Sequence, residues 1–248
     1  MKTIVYLAMG IAAAGAPDPV TRMNDQAVTV AQRNDACFAL RGNTSAETIA
    51  ALRQALNDAK LRACAGENLR VAGAVDALRG ALSDEDAEVR ALAARELGTF
   101  QKPELLEALA RMTRDPQLLV SSNALEALFE YPAPIAQPYL VDLANRGGLV
   151  GQMALERLAQ SGDLEAAAIA RRLVTKRDIG NMLAGMRVLG ELGDTSDLPA
   201  LEIIARKDTE EISPKGRGFG LMPAISLSRA ARTAMAAIQA RGPTEREK

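Results

Sequence analysis

Histidine and tryptophan are absent from this chain, aromatic residues make up only 3% of it, and it has two cysteines. The lack of histidine excludes Ser-His-Asp and Cys-His catalytic groups and every histidine-ligated zinc or haem site. Two cysteines are too few for a four-cysteine zinc or iron–sulfur site. We therefore expect no metal, no cofactor and no enzymatic activity.

Charge of either sign is not in excess. Thirty Lys and Arg residues face 31 Asp and Glu residues, for a net charge of −1. A balance this even provides no overall attraction to nucleic acid or to anionic lipid. We expect neither a nucleic-acid partner nor, once the N-terminal segment is removed, stable insertion into a membrane.

Hydrophobic residues form 48% of the chain, and with so few aromatics the core must be built from Ala and Leu, which favour helix. Apolar residues at 89, 92, 93, 97 and 100 follow the i, i+3, i+4 spacing of a helix with one buried face. Similar stripes begin at Leu61, Val120, Val150 and Leu227, and a looser one ends at Leu192. The chain is therefore an array of internal repeats of about 30 residues.

A second amphipathic segment precedes each of these helices. The six segments are residues 48–56, 75–82, 104–112, 136–144, 164–174 and 198–205. Short breaks rich in Asp, Ser, Asn, Pro and Gly separate the two helices, and such residues end one helix and cap the next. Because a two-helix unit cannot bury its apolar face alone, stacked units should form an all-α solenoid.

The repeat at residues 83–100, SDEDAEVRALAARELGTF, resembles the HEAT-like repeat, particularly the short variety of the phycobilisome lyases. Its acidic turn, the Val89-Arg90 pair and the Leu97-Gly98 pair carry the resemblance. The resemblance implies a right-handed α-α superhelix of about six two-helix repeats over residues 46–241. It implies no catalytic residue. Arg62 and Arg90 should each bridge to an acid of a neighbouring turn, although a ladder of anion-binding arginines is the alternative.

The N-terminus has the pattern of a signal peptide. Lys2 precedes an apolar run, and small residues follow it up to Ala16. The run is far shorter than the roughly 20 residues that span a bilayer. We predict a cleaved signal peptide at residues 1–16 and a periplasmic or extracellular location; an ordinary first helix with an apolar face is the alternative.

Export changes the interpretation of Cys37 and Cys64. In an oxidising compartment two cysteines suggest one disulfide, whereas in the cytosol they would be buried thiols. Closing the loop between these two cysteines would stabilise the folded protein by about 3–4 kcal/mol in the chain-entropy model. The bond would join the first repeat to a capping helix at residues 28–40, within an N-terminal linker and cap at residues 17–45. Residues 242–248 should form a disordered tail.

Two regions are candidates for binding a partner. The longest interruption of the repeat lies at residues 206–223, where Lys215, Arg217 and Phe219 alternate with glycines. Cationic and aromatic residues in a long loop are typical of recognition, although an idle surface insertion is the alternative. The second candidate is the face of the second helices, which usually lines the concave side of such arrays. It would carry Arg95, Glu126, Glu156, Arg157 and Arg187.

These features favour an exported, non-enzymatic scaffold that binds a protein or peptide partner. Two alternatives stay open: a cofactor-handling enzyme similar to the bilin lyases, and a structural spacer of the cell envelope. The predicted signal peptide counts against the lyase, which would usually be cytoplasmic.

Overall fold

The structure is a computed structural model that describes residues 17–207 and 226–242. In those residues every regular element is helical. They fall into two compact units, one up to Phe100 and one from Gln101 onward. The all-α repeat fold expected from the sequence is confirmed, while the right-handed superhelix stays a prediction.

Each of the six predicted repeats is a pair of helices. The first helices of the pairs are α3 (Ala46–Ala55), α5 (Val75–Ala81), α7 (Leu106–Met112), α9 (Ala133–Arg146), α11 (Leu164–Leu173) and α13 (Leu198–Arg206). The second helices are α4 (Arg62–Val71), α6 (Ala87–Gly98), α8 (Leu118–Phe129), α10 (Gly148–Gln160), α12 (Ile179–Leu192) and α14 (Leu227–Arg241). Short 3-10 turns, Pro103–Leu105 and Thr195–Asp197, lead into α7 and α13.

The N-terminal region contains one helix more than the sequence predicted. The expected capping helix is α2 (Val30–Ala39), and a short helix, α1 (Pro19–Asn24), packs against it. Asp18 caps α1 and Pro19 occupies its first position, where proline is tolerated. Because α1 also contacts α3 and α2 also contacts α4, the region forms another helix pair on the first repeat.

The polar breaks cap the helices that follow them. Four helices, α6, α11, α12 and α14, have such a cap. Their cap residues are Asp86, Asp163, Asp178 and Ser226, and each accepts a hydrogen bond from a backbone N–H in the first turn of its helix. Such caps satisfy donors that would otherwise have no partner. The breaks therefore set the boundaries of the repeats.

The buried faces are those that the periodicity predicted. In α6, Val89 and Leu97 are inaccessible to solvent and Leu92 is buried. In the second unit, neighbouring second helices pack together, α8 with α10, α10 with α12, and α12 with α14. The solvent-exposed face of these second helices, which carries Glu126 and Arg187, is called the second-helix surface below.

Candidate protein-binding surface

The predicted residues of the second helices are exposed or half-buried, and several have partners. In the first unit Arg95 Nη2 lies 2.8 Å from Oε1 of Glu96, and the same carboxylate receives Arg70 Nε at 3.0 Å. Because Glu96 is buried, these two arginines serve to compensate its charge. Arg95 is thus engaged within its own unit.

In the second unit the predicted residues connect neighbouring helices. Arg187 of α12 forms an ion pair with Glu156 of α10. The guanidinium of Arg157 lies over the ring of Phe129 at the end of α8, with its central carbon 5.3 Å from the ring centroid. These contacts link α8 with α10 and α10 with α12. Glu126 of α8 is exposed on the same helix layer.

A groove of about 630 Å³ runs between α12 and α14 on this surface. Its lining is mainly small and apolar, and it includes Leu183, Met186, Gly190, Ala230, Ala234 and Ala237. Gly190 lies against α14 at ordinary packing distance, since a Cβ built there would stand 3.4 Å from the Cα of Ala234. Arg187 and Glu191 also line it, so charged side chains accompany the apolar lining.

A second cavity, of about 410 Å³, lies where α8 ends, α9 begins and α10 ends. Phe129, Tyr131, Pro134 and Leu140 contribute apolar lining, and Arg157 and Asp163 are its charged residues. The Tyr131 hydroxyl donates to the carbonyl of Lys102 at 3.0 Å. Burial, with a smaller contribution from Glu104, raises the pKa of Tyr131 to about 12, so this residue remains neutral at physiological pH.

Sequence reasoning identified Arg157 and Arg187 but missed the lining of both cavities. The signal for the groove was the series Ala230, Ala234 and Ala237, which lies on one face of α14. The signal for the second cavity was the group of aromatic and proline residues between α8 and α9.

Arg62 is a structural residue, as the sequence predicted. Its guanidinium pairs with Asp86, at 2.5 Å from Oδ2, and with Glu88, both in the first turn region of the next second helix. Arg90 donates to the backbone carbonyls of Asp84 and Glu85. These bonds tie arginines to turns and favour the structural interpretation over an anion ladder.

Cys37 of α2 and Cys64 of α4 form a disulfide, with their Cα atoms 6.4 Å apart. Both residues are buried, as expected for Cys64 from its position in the repeat. The side chain of Asn68 donates to the carbonyl of Cys37 at 2.6 Å. The bond therefore joins the N-terminal helix pair to the first repeat.

Three predicted features lie outside the described residues: the signal peptide at residues 1–16, the loop residues Lys215, Arg217 and Phe219, and all but the first residue of the tail at 242–248. All three stay predictions. Within residues 17–207 and 226–242, no group of three or more His, Cys, Asp or Glu side chains could hold a metal ion. None of the helices in these two ranges is long and apolar enough to cross a bilayer.

A comparison with protein families identifies the repeats. Residues 75–150 match the family model for HEAT repeats. This segment is therefore similar to HEAT repeats. It covers the helices from α5 to the start of α10, including the repeat whose residues carried the resemblance. The likeness to the phycobilisome-lyase variety of HEAT repeat stays a hypothesis.

Solved structures of helical proteins share the general arrangement at low similarity. Human deoxyhypusine hydroxylase in complex with glycerol is 18% identical, with 90% of this chain and 95% of that chain covered and a TM-score of 0.39. A computationally designed armadillo repeat protein for modular peptide recognition is also 18% identical, with coverages of 89% and 98% and a TM-score of 0.39. At these scores neither likeness bears on activity or ligand. No curated protein matches the chain.

Proposed function

We propose that this protein is an exported, non-enzymatic HEAT-repeat scaffold that binds a protein or peptide partner through the second-helix surface. The observation that carries the proposal is the groove between α12 and α14. Its apolar lining and its accompanying charges are the combination found in sites for an extended or helical peptide.

Preorganisation supports the same proposal. The Arg187–Glu156 pair connects α12 with α10 at the groove, since Arg187 is one of the residues that line it. A surface whose side chains are already held in place loses less conformational entropy when a partner binds. The absence of histidine from the chain supports a non-enzymatic role, because the commonest general base is missing.

Export is supported by two independent features. The N-terminal residues have the charged start, apolar run and small residues of a signal peptide. The Cys37–Cys64 disulfide supports the same conclusion, since structural disulfides persist in oxidising compartments and are rare in the cytosol.

The test is crosslinked capture from a native envelope extract, comparing two substitutions on α14. Ala230→Arg places a long cation in the groove, whereas Ala236→Arg adds the same side chain at an exposed position outside the groove lining. We expect Ala230→Arg to lose the partner and Ala236→Arg to retain it. Equal capture by both variants would contradict binding through the groove.

The loop at residues 206–223 is the alternative binding site and has its own variant. Deletion of residues 208–221 removes Lys215, Arg217 and Phe219. Loss of the partner from this variant alone would move the binding site to the loop. Capture of nothing by the unaltered protein would favour the envelope spacer. A coloured small molecule that copurifies would favour the lyase.

A further inference from the structure

Arg157 is a cation that forms no ion pair with the residues that the structure describes. It is exposed near the end of α10, and its guanidinium makes no ion pair and no hydrogen bond with the residues that the structure describes. Its neighbour Glu156 pairs instead with Arg187. The contact of Arg157 with the Phe129 ring orients the guanidinium without neutralising it.

The other charged residue that lines the same cavity, Asp163, is already satisfied. Its Oδ2 receives the Gln137 side-chain amide at 2.7 Å, and its Oδ1 receives the backbone N–H of Glu165 at 2.9 Å. Asp163 also caps the N-terminus of α11, where the helix dipole stabilises a negative charge. Arg157 is therefore the charged side chain at the cavity that has neither a hydrogen bond nor an ion pair with the described residues.

The geometry defines what this cation can bind. The Arg157 guanidinium lies over the Phe129 ring, and its planar set of N–H donors matches the two oxygens of a carboxylate. Phe129, Tyr131, Pro134 and Leu140 give the cavity an apolar lining. Its volume of about 410 Å³ is within the range of small-ligand sites. A carboxylate at Arg157 would thus leave apolar space for a neighbouring side chain.

We propose that this cavity is a carboxylate-binding site, in which Arg157 binds the carboxylate of a peptide and the cavity accepts an adjacent apolar side chain. The proposal rests on the proposed function, because it assumes that the partner is a protein or peptide. It adds the chemistry that the partner must present: an acidic group next to an apolar one. The carboxylate belongs either to a chain terminus or to an Asp or Glu side chain.

Four small probes test the site and distinguish these two sources. N-acetyl-leucine presents a terminal carboxylate, and acetyl-Leu-Glu-amide presents one on a side chain. N-acetyl-leucinamide and acetyl-Leu-Gln-amide are the matched neutral probes. The measurement is the Arg157 Nε–H signal in ¹⁵N–¹H spectra of the mature protein, assigned by its loss in Arg157→Gln. We expect a saturable shift with at least one carboxylate at about 1 mM and none with its neutral partner.

Variants connect the binding to Arg157. We expect Arg157→Gln to weaken binding at least about tenfold, as followed by the methyl signals of Leu140, and Arg157→Lys to weaken it as well, because an ammonium lacks the planar donors. Arg111→Gln, which breaks the exposed pair with Glu107 on α7, is the control and should leave binding unchanged. Equal shifts with charged and neutral probes, no saturable shift, or unchanged binding by Arg157→Gln would each overturn the proposal.

Failure of this proposal is distinguishable from failure of the scaffold function. If Ala230→Arg loses the partner and Arg157 binds none of the probes, the scaffold function stands and the carboxylate site does not. If the probes bind but no partner is captured, the cavity is a carboxylate site and the scaffold proposal fails.

Discussion

Arg33 is a buried cation in α2, and its counter-charge is the carboxylate of Asp58. Its Nη2 lies 2.6 Å from Oδ2 of Asp58, and its Nε donates to the carbonyl of Met23 at 2.9 Å. The pKa of Asp58 is lowered from its usual 3.8, chiefly by the hydrogen bond from the backbone N–H of Lys60 and further by Arg33. The stability that ionised Asp58 contributes is therefore present at neutral pH and is lost as pH falls below about 4.

Replacing Asp58→Asn should destabilise the protein at pH 7 by about 1–2 kcal/mol, because Arg33 would remain buried without a counter-charge. The deficit relative to the unaltered protein should shrink as pH falls through the lowered pKa of Asp58, because Asp58 itself then becomes protonated. Urea unfolding at pH 7 and at a series of acidic pH values measures this. The control is Glu67→Gln, which breaks the exposed pair with Arg41 and should have no measurable effect. Equal losses in the two variants would contradict the prediction.

The contacts of individual arginines could be predicted from the sequence only where the repeat pattern was clear. Arg62 begins a recognisable helix, α4, and an acidic turn follows one repeat later. Its bridge to Asp86 could therefore be predicted from the pattern. Arg33 makes the equivalent bridge from α2, but the N-terminal pair has too short a first helix to reveal the repeat. The Arg157–Phe129 contact depends on the spacing between α8 and α10, which periodicity alone cannot supply.

The packing of one helix on the next depends on a few glycines. Gly151 of α10 lies against α9: a Cβ added there would stand 2.6 Å from the carbonyl oxygen of Leu143. That contact is with backbone, so relief requires movement of a whole helix. We expect Gly151→Ala to destabilise the protein by about 1–3 kcal/mol, as measured by thermal unfolding.

Gly180→Ala is the matched control for helix packing. A Cβ at Gly180 would meet only the amide end of the Gln152 side chain, which can rotate away. Because alanine favours helix, this variant should remain within about 0.5 kcal/mol of the unaltered protein or become slightly more stable. A Gly151→Ala protein as stable as Gly180→Ala would show that α9 and α10 do not pack as closely as described.

The disulfide stabilises the helix pair α1 and α2, which has few buried apolar side chains of its own. In α1 and α2 the buried apolar residues are Met23, Ala36 and Cys37. Reduction should therefore lower the free energy of unfolding by about 3 kcal/mol and increase hydrogen exchange in α1 and α2. The double variant Cys37→Ser/Cys64→Ser should show the same loss and no further response to reductant. Two titratable thiols in unfolded, non-reduced protein would contradict the bond.

At the level of elements the sequence predicted most of the helices but not the surfaces between them. All six helix pairs followed from period and turn residues, because an amphipathic helix buries the face that its own pattern defines. α1 escaped prediction since six residues carry no measurable period. The groove between α12 and α14 is lined by residues of both helices, and therefore depends on tertiary packing.

For the whole molecule, export and the disulfide make one joint prediction. The bond can form stably only in an oxidising compartment, and the predicted signal peptide is the means of reaching one. Produced with residues 1–16 in a bacterium, the protein should be recovered from the periplasm without its first 14 to 16 residues and with no free thiols. N-terminal sequencing and thiol titration measure both properties.

The matched control is the chain from Pro17 onward, expressed in the cytosol. It should fold with two free thiols and a lower melting temperature, and oxidation after purification should restore the difference, because the buried cysteines are already close enough to bond. An intact Met1 on the recovered full-length protein would contradict signal cleavage. If that uncleaved protein also had two thiols, the disulfide would have no compartment in which to form, and the role in the envelope would fail with it.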